Sequence, residues 1–328
     1  MQNFLLVANQ VAILFVLIGV GVVCRKAKLV DEFSVRGMVN VLISIVTPAL
    51  IVECFQRPFE SSMLAQFAIA FVVASGMHAL LIWISRYTAK GGEAELPVLR
   101  VATVFSNAGF MGIPLEYAIL GPKGVFYGVV YVTMFNLFMW TWGLAKMRGG
   151  EAVKVKSGTT GTSALIHLPQ LLLAYKPLVN PGTVGLLIGL PLFLFSITLP
   201  EVVRVPVKLI SELNTPLAML VIGYYLAGAD FKAVLCSRQA HLATLIRLVV
   251  SPLMLVAFFY LFRSSLDRTM MLALTIAASA PVGAMVTMFA SKYGRDVDLS
   301  VGLVSGSTVI SIFTIPPIVA LAMSVLGE

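Results

Sequence analysis

The sequence predicts an all-α integral membrane protein: ten transmembrane helices in two inverted five-helix repeats, with helices 4 and 9 broken where they cross. Three observations predict it. Of the 328 residues, 59% are hydrophobic and only 12% charged, with a mean hydropathy of +0.96. Soluble domains carry about 25% charged residues, so little material is left for one here. Apolar stretches of the roughly 20 residues that a bilayer requires recur along the whole chain. Landmarks of the first half return in the second at a nearly constant offset.

The stretches run over 4–23, 37–56, 63–85, 96–120, 124–144, 181–200, 206–228, 241–262, 268–290 and 300–326. The first has no basic residues before it and no small-residue cleavage pattern after it, and it ends on Cys24-Arg25-Lys26. It therefore reads as a retained helix and not as a secretory signal. The second carries Thr47-Pro48 and, toward its outer end, Glu53; the third holds His78 at mid-span. The fourth contains Ser106-Asn107-Ala108-Gly109-Phe110-Met111-Gly112-Ile113-Pro114. A membrane helix satisfies its own backbone because hydrocarbon offers no partners, so this cluster of glycines, asparagine and proline marks a helix broken in mid-membrane. The fifth carries Asn136. Residues 145–180 join the halves; Gly149-Gly150, Lys154, Lys156 and Ser157-Gly158-Thr159-Thr160-Gly161-Thr162 read as a flexible cytoplasmic linker. Within it, 164–174 is apolar but reaches only about 16 Å as a helix, which places it at the interface. The sixth stretch is interrupted by Pro191, the seventh carries Glu212 and Thr215-Pro216, and the eighth Arg247. The ninth breaks at Ala280-Pro281-Val282-Gly283, and the tenth carries Ser305, Ser307, Thr308 and Ser311.

Thr47-Pro48 returns as Thr215-Pro216, Leu42-Ile43-Ser44 as Leu209-Ile210-Ser211, Leu17-Ile18-Gly19 as Leu187-Ile188-Gly189, and Pro114 as Pro281. The organisation is a first five-helix repeat over 1–144, the linker, and a second repeat over 181–328. Because five is odd, the second copy enters from the opposite side. The odd-numbered loops hold 16 of the 23 Lys and Arg, the even-numbered loops 6, and Arg247 lies inside a stretch. By the positive-inside rule the odd loops are cytoplasmic and both termini extracytoplasmic. That asymmetry also accounts for the net charge of +8 without invoking nucleic acid. Three scattered cysteines exclude a disulfide framework or a zinc site. There is no Walker A loop and no Ser/His/Asp, metal or paired-carboxylate constellation, so neither ATP-driven pumping nor an enzyme is indicated, and no cofactor is expected.

Paired breaks at matching positions of two halves point to the binding site of a secondary transporter. Proline suits the first position of a helix, which has no N–H to satisfy. Half-helices restarting at Pro114 and Pro281 would thus present the N–H groups near Gly112 and Ile113, and near Val282 and Gly283, with partial positive charge. Two such ends make an anion site without lysine or arginine, and neither 101–120 nor 269–290 holds a basic residue. Asn107 can add an amide donor. The plainer reading is that these residues only kink packed helices. The second half has no asparagine to match Asn107; Ser279 and Thr275 are its nearest polar groups.

Asn107 to Leu115, Asn180-Pro181, Ala280-Pro281, Ala290-Ser291-Lys292-Tyr293-Gly294, Asp298-Leu299-Ser300 and the run from Ser311 to Pro316 resemble the auxin efflux carrier family of bacteria and plants. The resemblance covers essentially the whole chain. It implies a ten-helix, elevator-type carrier of organic anions such as auxin, malate or malonate, working as a homodimer. In it, helices 1, 2, 6 and 7 form the dimerising scaffold, while helices 3–5 and 8–10 move. It also places Asn136 and the tenth-helix hydroxyls, Ser307 among them, beside the crossing. The candidate substrate-binding set is therefore Asn107, Gly109, Gly112, Ile113, Pro114, Asn136, Ser279, Pro281, Val282, Gly283 and Ser307.

Ionisable groups inside membrane helices are functional candidates. Glu212 reads either as a site for H+ or Na+ or as a helix-pairing hydrogen bond; Glu53 reads as exposed at the interface. His78 reads as a proton relay or a packed histidine, Arg247 as snorkelling to the cytoplasmic surface. Ser311 joins Glu212 and His78 as a candidate for ion coupling. The expected activity is secondary active or potential-driven transport of a small organic carboxylate across a bacterial inner membrane. The alternative is a membrane sensor that binds the anion without net transport.

Overall fold

The computed structural model describes residues 2–148, 181–228 and 237–326. Every described element is helical; Ser106 and Val282 alone pair as an isolated antiparallel bridge. The linker beyond Arg148, with its expected interfacial stretch 164–174, lies outside the described residues. The helices are α1 (Gln2–Lys26), α2 (Glu32–Cys54), α3 (Ser61–Thr88), α4 (Glu95–Val104), α5 (Ala108–Arg148), α6 (Pro181–Leu194), α7 (Glu201–Leu226), α8 (Arg238–Phe262), α9 (Arg268–Ser279), α10 (Met285–Lys292) and α11 (Val297–Val325). Seven spans are long and apolar enough to cross a membrane, and α6 and α9 are shorter apolar helices. This is an integral membrane protein with many spans.

Helix starts follow the local chemistry. Asp31, Asp267 and Asp296 each accept a hydrogen bond from the backbone N–H three residues on, from Ser34 at 2.8 Å, Met270 at 3.0 Å and Leu299 at 2.8 Å. Such caps satisfy one of the donors that every helix start leaves orphaned. The Asp31 cap starts α2 at Glu32, five residues ahead of its apolar stretch. Pro191 does not interrupt α6, which runs on to Leu194.

α5 is two helical arms joined directly at Gly121, whose φ of 66° and ψ of −161° are not helical and suit glycine. The arms 108–120 and 122–148 fold back on each other there. Glu116 and Gly128 would be about 18 Å apart along a straight helix. Instead, a Cβ on Gly128 would fall onto the Glu116 carboxyl. The fourth and fifth apolar stretches thus make a hairpin with no loop between its arms.

Wide (π) turns at Leu42–Val46, Ala108–Gly112 and Ile246–Val250 each end two residues before a proline: Pro48, Pro114 and Pro252. Proline lacks an N–H and its ring collides with the carbonyl four residues back. Opening one turn relieves the collision while the helix continues. The same device lets Thr47 donate its hydroxyl to the Leu42 carbonyl at 2.8 Å.

α1 packs along α7, and α2 along α6. Both contacts run through glycine, as membrane helices use small residues to bring backbones together. A Cβ on Gly223 would lie 2.8 Å from the Cα of Gly21, and one on Gly185 2.9 Å from the Cα of Pro48. A Cβ on Gly189 would press on Phe55 at 3.0 Å. α5 lies along α9 and against α3, while α8 and α11 also pack on α9.

Gly21→Val is expected to destabilise the fold by about 1–3 kcal/mol, because the clash is with backbone that cannot step aside. Gly19→Ala, where a Cβ meets nothing within 4 Å, is expected to be neutral or slightly stabilising. Chemical unfolding of both variants in detergent micelles checks the pair; equal midpoints would contradict the close helix contact.

Candidate functional site at the crossing of two broken helices

Pro281 disfavours helical backbone in the residue before it. Ala280 accordingly turns extended (φ −63°, ψ 147°) and α9 stops at Ser279. α4 stops at Val104, where Phe105 is extended (φ −104°, ψ 114°). The two unwound segments meet and satisfy each other. Asn107 donates its N–H to the Pro281 carbonyl at 2.6 Å, and Gly283 donates to the Phe105 carbonyl at 2.9 Å. A Cβ on Gly283 would lie 3.1 Å from the Ser106 carbonyl oxygen, so the approach favours glycine. Val282 donates its N–H to the Ser307 hydroxyl at 3.0 Å, and Ser307 donates onward to Val304.

The helices restart elsewhere than the prolines imply. The Asn107 carbonyl accepts from Met111 and Gly112, and Ile113 donates to Ala108, so the wide turn before Pro114 starts the helix at Ala108. The N–H groups of Gly112 and Ile113 are spent inside that helix, and those of Val282 and Gly283 on the crossing. The expectation that these four are free is corrected. At the crossing, the N–H groups of Ser106 and Ala280 in the unwound segments have no carbonyl partner among the described residues, nor do those of Ala108, Gly109 and Phe110, and of Ala284 and Met285, at the half-helix starts. Gly109, Phe110, Ala284 and Met285 are all partly exposed, and the space beside Gly109 is open for 4 Å around a built Cβ. Asn107 is almost buried, and its side-chain amide has no partner among the described residues.

Arg247 does not reach the surface. It is fully buried, and its guanidinium donates to the Val104 carbonyl at 2.8 Å, the Ala278 carbonyl at 2.5 Å and the Ser251 hydroxyl at 2.6 Å. Val104 is the last residue of α4 and Ala278 lies in the last turn of α9. One cation therefore serves the negative ends of both interrupted helices, the position where the helix dipole favours it. Snorkelling gives way because those orphaned carbonyls are nearer than water.

His78 packs behind Phe105: its ring stacks on Phe138 (5.4 Å, 5°) and lies 4.9 Å from Tyr131 and 6.0 Å from Phe105, with Nδ1 2.8 Å from the Ala74 carbonyl. Among the other candidates, Pro114 and Ile113 are buried in α5, and Gly112 backs onto α9, where a Cβ would lie 3.4 Å from the Cα of Ala277. Ser279, Ser311 and Asn136 bond within their own helices, to Thr275, Thr308 and Val132. Glu212 is exposed at a bend in α7, away from the crossing's hydrogen bonds. Glu53 is not simply exposed; it is half-buried, 3.7 Å from Arg204.

Two residues outside the expected binding set belong to this region. Arg247 was legible as a cation four residues before Ser251-Pro252 in an apolar helix. Glu116 was legible as an acid two residues after Pro114. It is fully buried, and neither carboxyl oxygen has a partner among the described residues.

Arg247→Met is expected to cost about 3 kcal/mol or more, since hydrogen bonds from a charged donor are worth about 1.5–3 kcal/mol each. Arg247→Lys, with no planar fork, should recover part of that. Thermal unfolding in detergent checks both; an unchanged midpoint for Arg247→Met would remove the clamp.

A family profile described as "Membrane transport protein" matches residues 6–319. An "Uncharacterized transporter" of Methanothermobacter thermautotrophicus is 25% identical over 311 residues, covering 92% of this chain and 93% of that protein. "Auxin efflux carrier component 8" of Arabidopsis thaliana is 26% identical over 162 residues, covering 48% of this chain and 42% of the plant protein. With the match running across nearly the whole chain, the protein belongs to the membrane transport protein family that includes the auxin efflux carriers.

Proposed function

We propose that the chain carries a small organic carboxylate across the membrane by alternating access. The observation that carries this reading is the pair of half-helix starts at the crossing, whose spare N–H groups at 108–110 and 284–285 are joined by the unpartnered Asn107 amide. Oriented N–H groups at helix N-termini favour anions. Arg247 occupies the opposite, C-terminal ends, so it adds positive potential while its own hydrogen bonds are engaged. That chemistry supports an anionic substrate, and the likeness to a protein named as an auxin efflux carrier component is in keeping with a carboxylate.

The architecture we infer is ten spans in two inverted repeats. Its support is a pair of contacts: Gly21 against Gly223, and Gly189 against Phe55, in which each residue stands 168 positions from its counterpart. On this reading α1, α2, α6 and α7 form a homodimeric scaffold in a bacterial inner membrane, and the helices around the crossing move as an elevator. Both termini face outside, and the linker is cytoplasmic. An unbalanced anion moving through this site feels about 2.3 kcal/mol per charge per 100 mV, which favours export from a negative interior.

Flux of mono- and dicarboxylates into reconstituted vesicles, with and without sodium and with an imposed potential, tests the activity. Binding without flux would identify a sensor. Asn107→Ala is expected to weaken binding roughly ten- to a hundredfold, the value of a hydrogen bond to a charged group. Unchanged affinity in a folded variant would take Asn107 out of the site. Cysteines introduced near residues 2 or 327 are expected to label from outside, and one near 155 is not; the reverse pattern would invert the topology.

A further inference from the structure

We propose that Glu116 is a proton site linked to the anion site, so that the protein binds its anion together with a proton. The inference rests on the carboxylate-carrier reading above. Glu116 stands in the first turn of α5 beyond Pro114, fully buried, with neither oxygen hydrogen-bonded among the described residues. Space for its carboxyl exists because residue 128 is glycine: a Cβ there would fall onto Glu116 Oε2. On the other side a Cβ built on Gly112 would lie 3.8 Å from Oε1.

Among the described residues no counter-ion is left for this carboxylate. Lys123 pairs with Asp267 at 2.8 Å, Arg57 donates to the Cys54 carbonyl, and Arg247 is committed to Val104, Ala278 and Ser251. Toward Glu116, α2 contributes the Cys54 thiol, with Glu53 next to it in sequence. α9 contributes Ala277, which also lines Gly112. The facing arm of α5 contributes Gly124 and Gly128, α6 has no ionisable residue, and Glu212 of α7 is exposed. His78 of α3 belongs to the cluster around Phe105. An ionised carboxylate buried without a partner is costly, and a proton is the smallest group that removes the charge. A metal cation would need several oxygen ligands, and no group of three His, Cys, Asp or Glu lies together among the described residues.

The link to the anion is electrostatic. Glu116 lies on the same half-helix whose first N–H groups, at Ala108, Gly109 and Phe110, face the anion site. An ionised carboxylate about 12 Å along the helix from Ala108 repels the incoming anion through protein of low dielectric. Protonation from the loading side removes that repulsion, and release on the other side returns the proton to solvent. By linkage, lower pH then favours binding, and a monoanion crosses as an electroneutral pair.

The test uses the full chain in lipid nanodiscs, with acetate, malonate and malate as probes and thermal unfolding as the folding control. Native protein is expected to bind more tightly as pH falls, by up to about tenfold per pH unit for one linked proton. Glu116→Gln should bind as the low-pH form does, with no slope, and lose an infrared carbonyl band of a protonated carboxylic acid. A Glu116→Gln protein that keeps the native slope, or that keeps the band, overturns the proposal. If Glu116→Gln does not fold, Glu116→Asp keeps a titrating group in an altered setting; a shifted midpoint supports the assignment and an unchanged one overturns it. If none of the three probes binds the native protein, the carboxylate reading fails instead. The infrared band then decides the proton site alone: its presence in native protein and loss on substitution supports it, and its absence overturns it.

Discussion

Backbone polar groups inside a membrane must find partners in protein, and the crossing depends on that constraint more than on any single side chain. Breaking two helices frees carbonyls on one side and N–H groups on the other. The carbonyls of Val104 and Ala278 go to Arg247, and those of Phe105 and Pro281 go to the opposing segment's N–H groups. Ser307 takes the Val282 N–H. Beyond these bonds, N–H groups of both segments remain without a carbonyl partner among the described residues, those at 108–110 and 284–285 lying at the half-helix starts where the proposed anion site is.

Four of the prolines show two contrasting roles. At Pro48, Pro114 and Pro252 it is preceded by a wide turn and the helix carries on. At Pro281 no wide turn precedes it, the residue before it turns extended, and the helix ends. The difference lies in the surroundings. Pro281 offers its carbonyl to a partner segment, whereas the other three sit in continuous helix where opening one turn suffices. At these four prolines the outcome is a bend or a break, and tertiary partners decide which.

That choice explains what could be read from the residues and what could not. The apolar periods located the spans, and Asn107, Gly283 and Pro281 marked the two breaks, because composition and backbone preference are local. Pro114 misled by four to six residues: proline's fitness for the first helical turn was real, but the wide turn at Ala108–Gly112 moved the helix start upstream. Matching Pro114 to Pro281 joined a bend to a break. Arg247 was misread because its partners, 143 and 31 residues away, are invisible to a local argument about distance from the membrane surface. Glu116 went unread: locally nothing separates it from an acid near a helix start, and its isolation is visible only once the hairpin at Gly121 folds Gly128 over it.

The clamp also has a consequence for how the chain is made. Val104 and Phe105 are synthesised long before their partners: Arg247 follows Val104 by 143 residues, and Gly283 follows later still. At about 5–20 residues per second, the first broken helix waits on the order of ten seconds with its polar backbone uncovered. Hydrocarbon cannot host it during that interval. The first half must therefore stay in contact with water or with the insertion machinery until the second arrives. Membrane insertion of this protein is a joint event of its two halves and not a succession of independent spans.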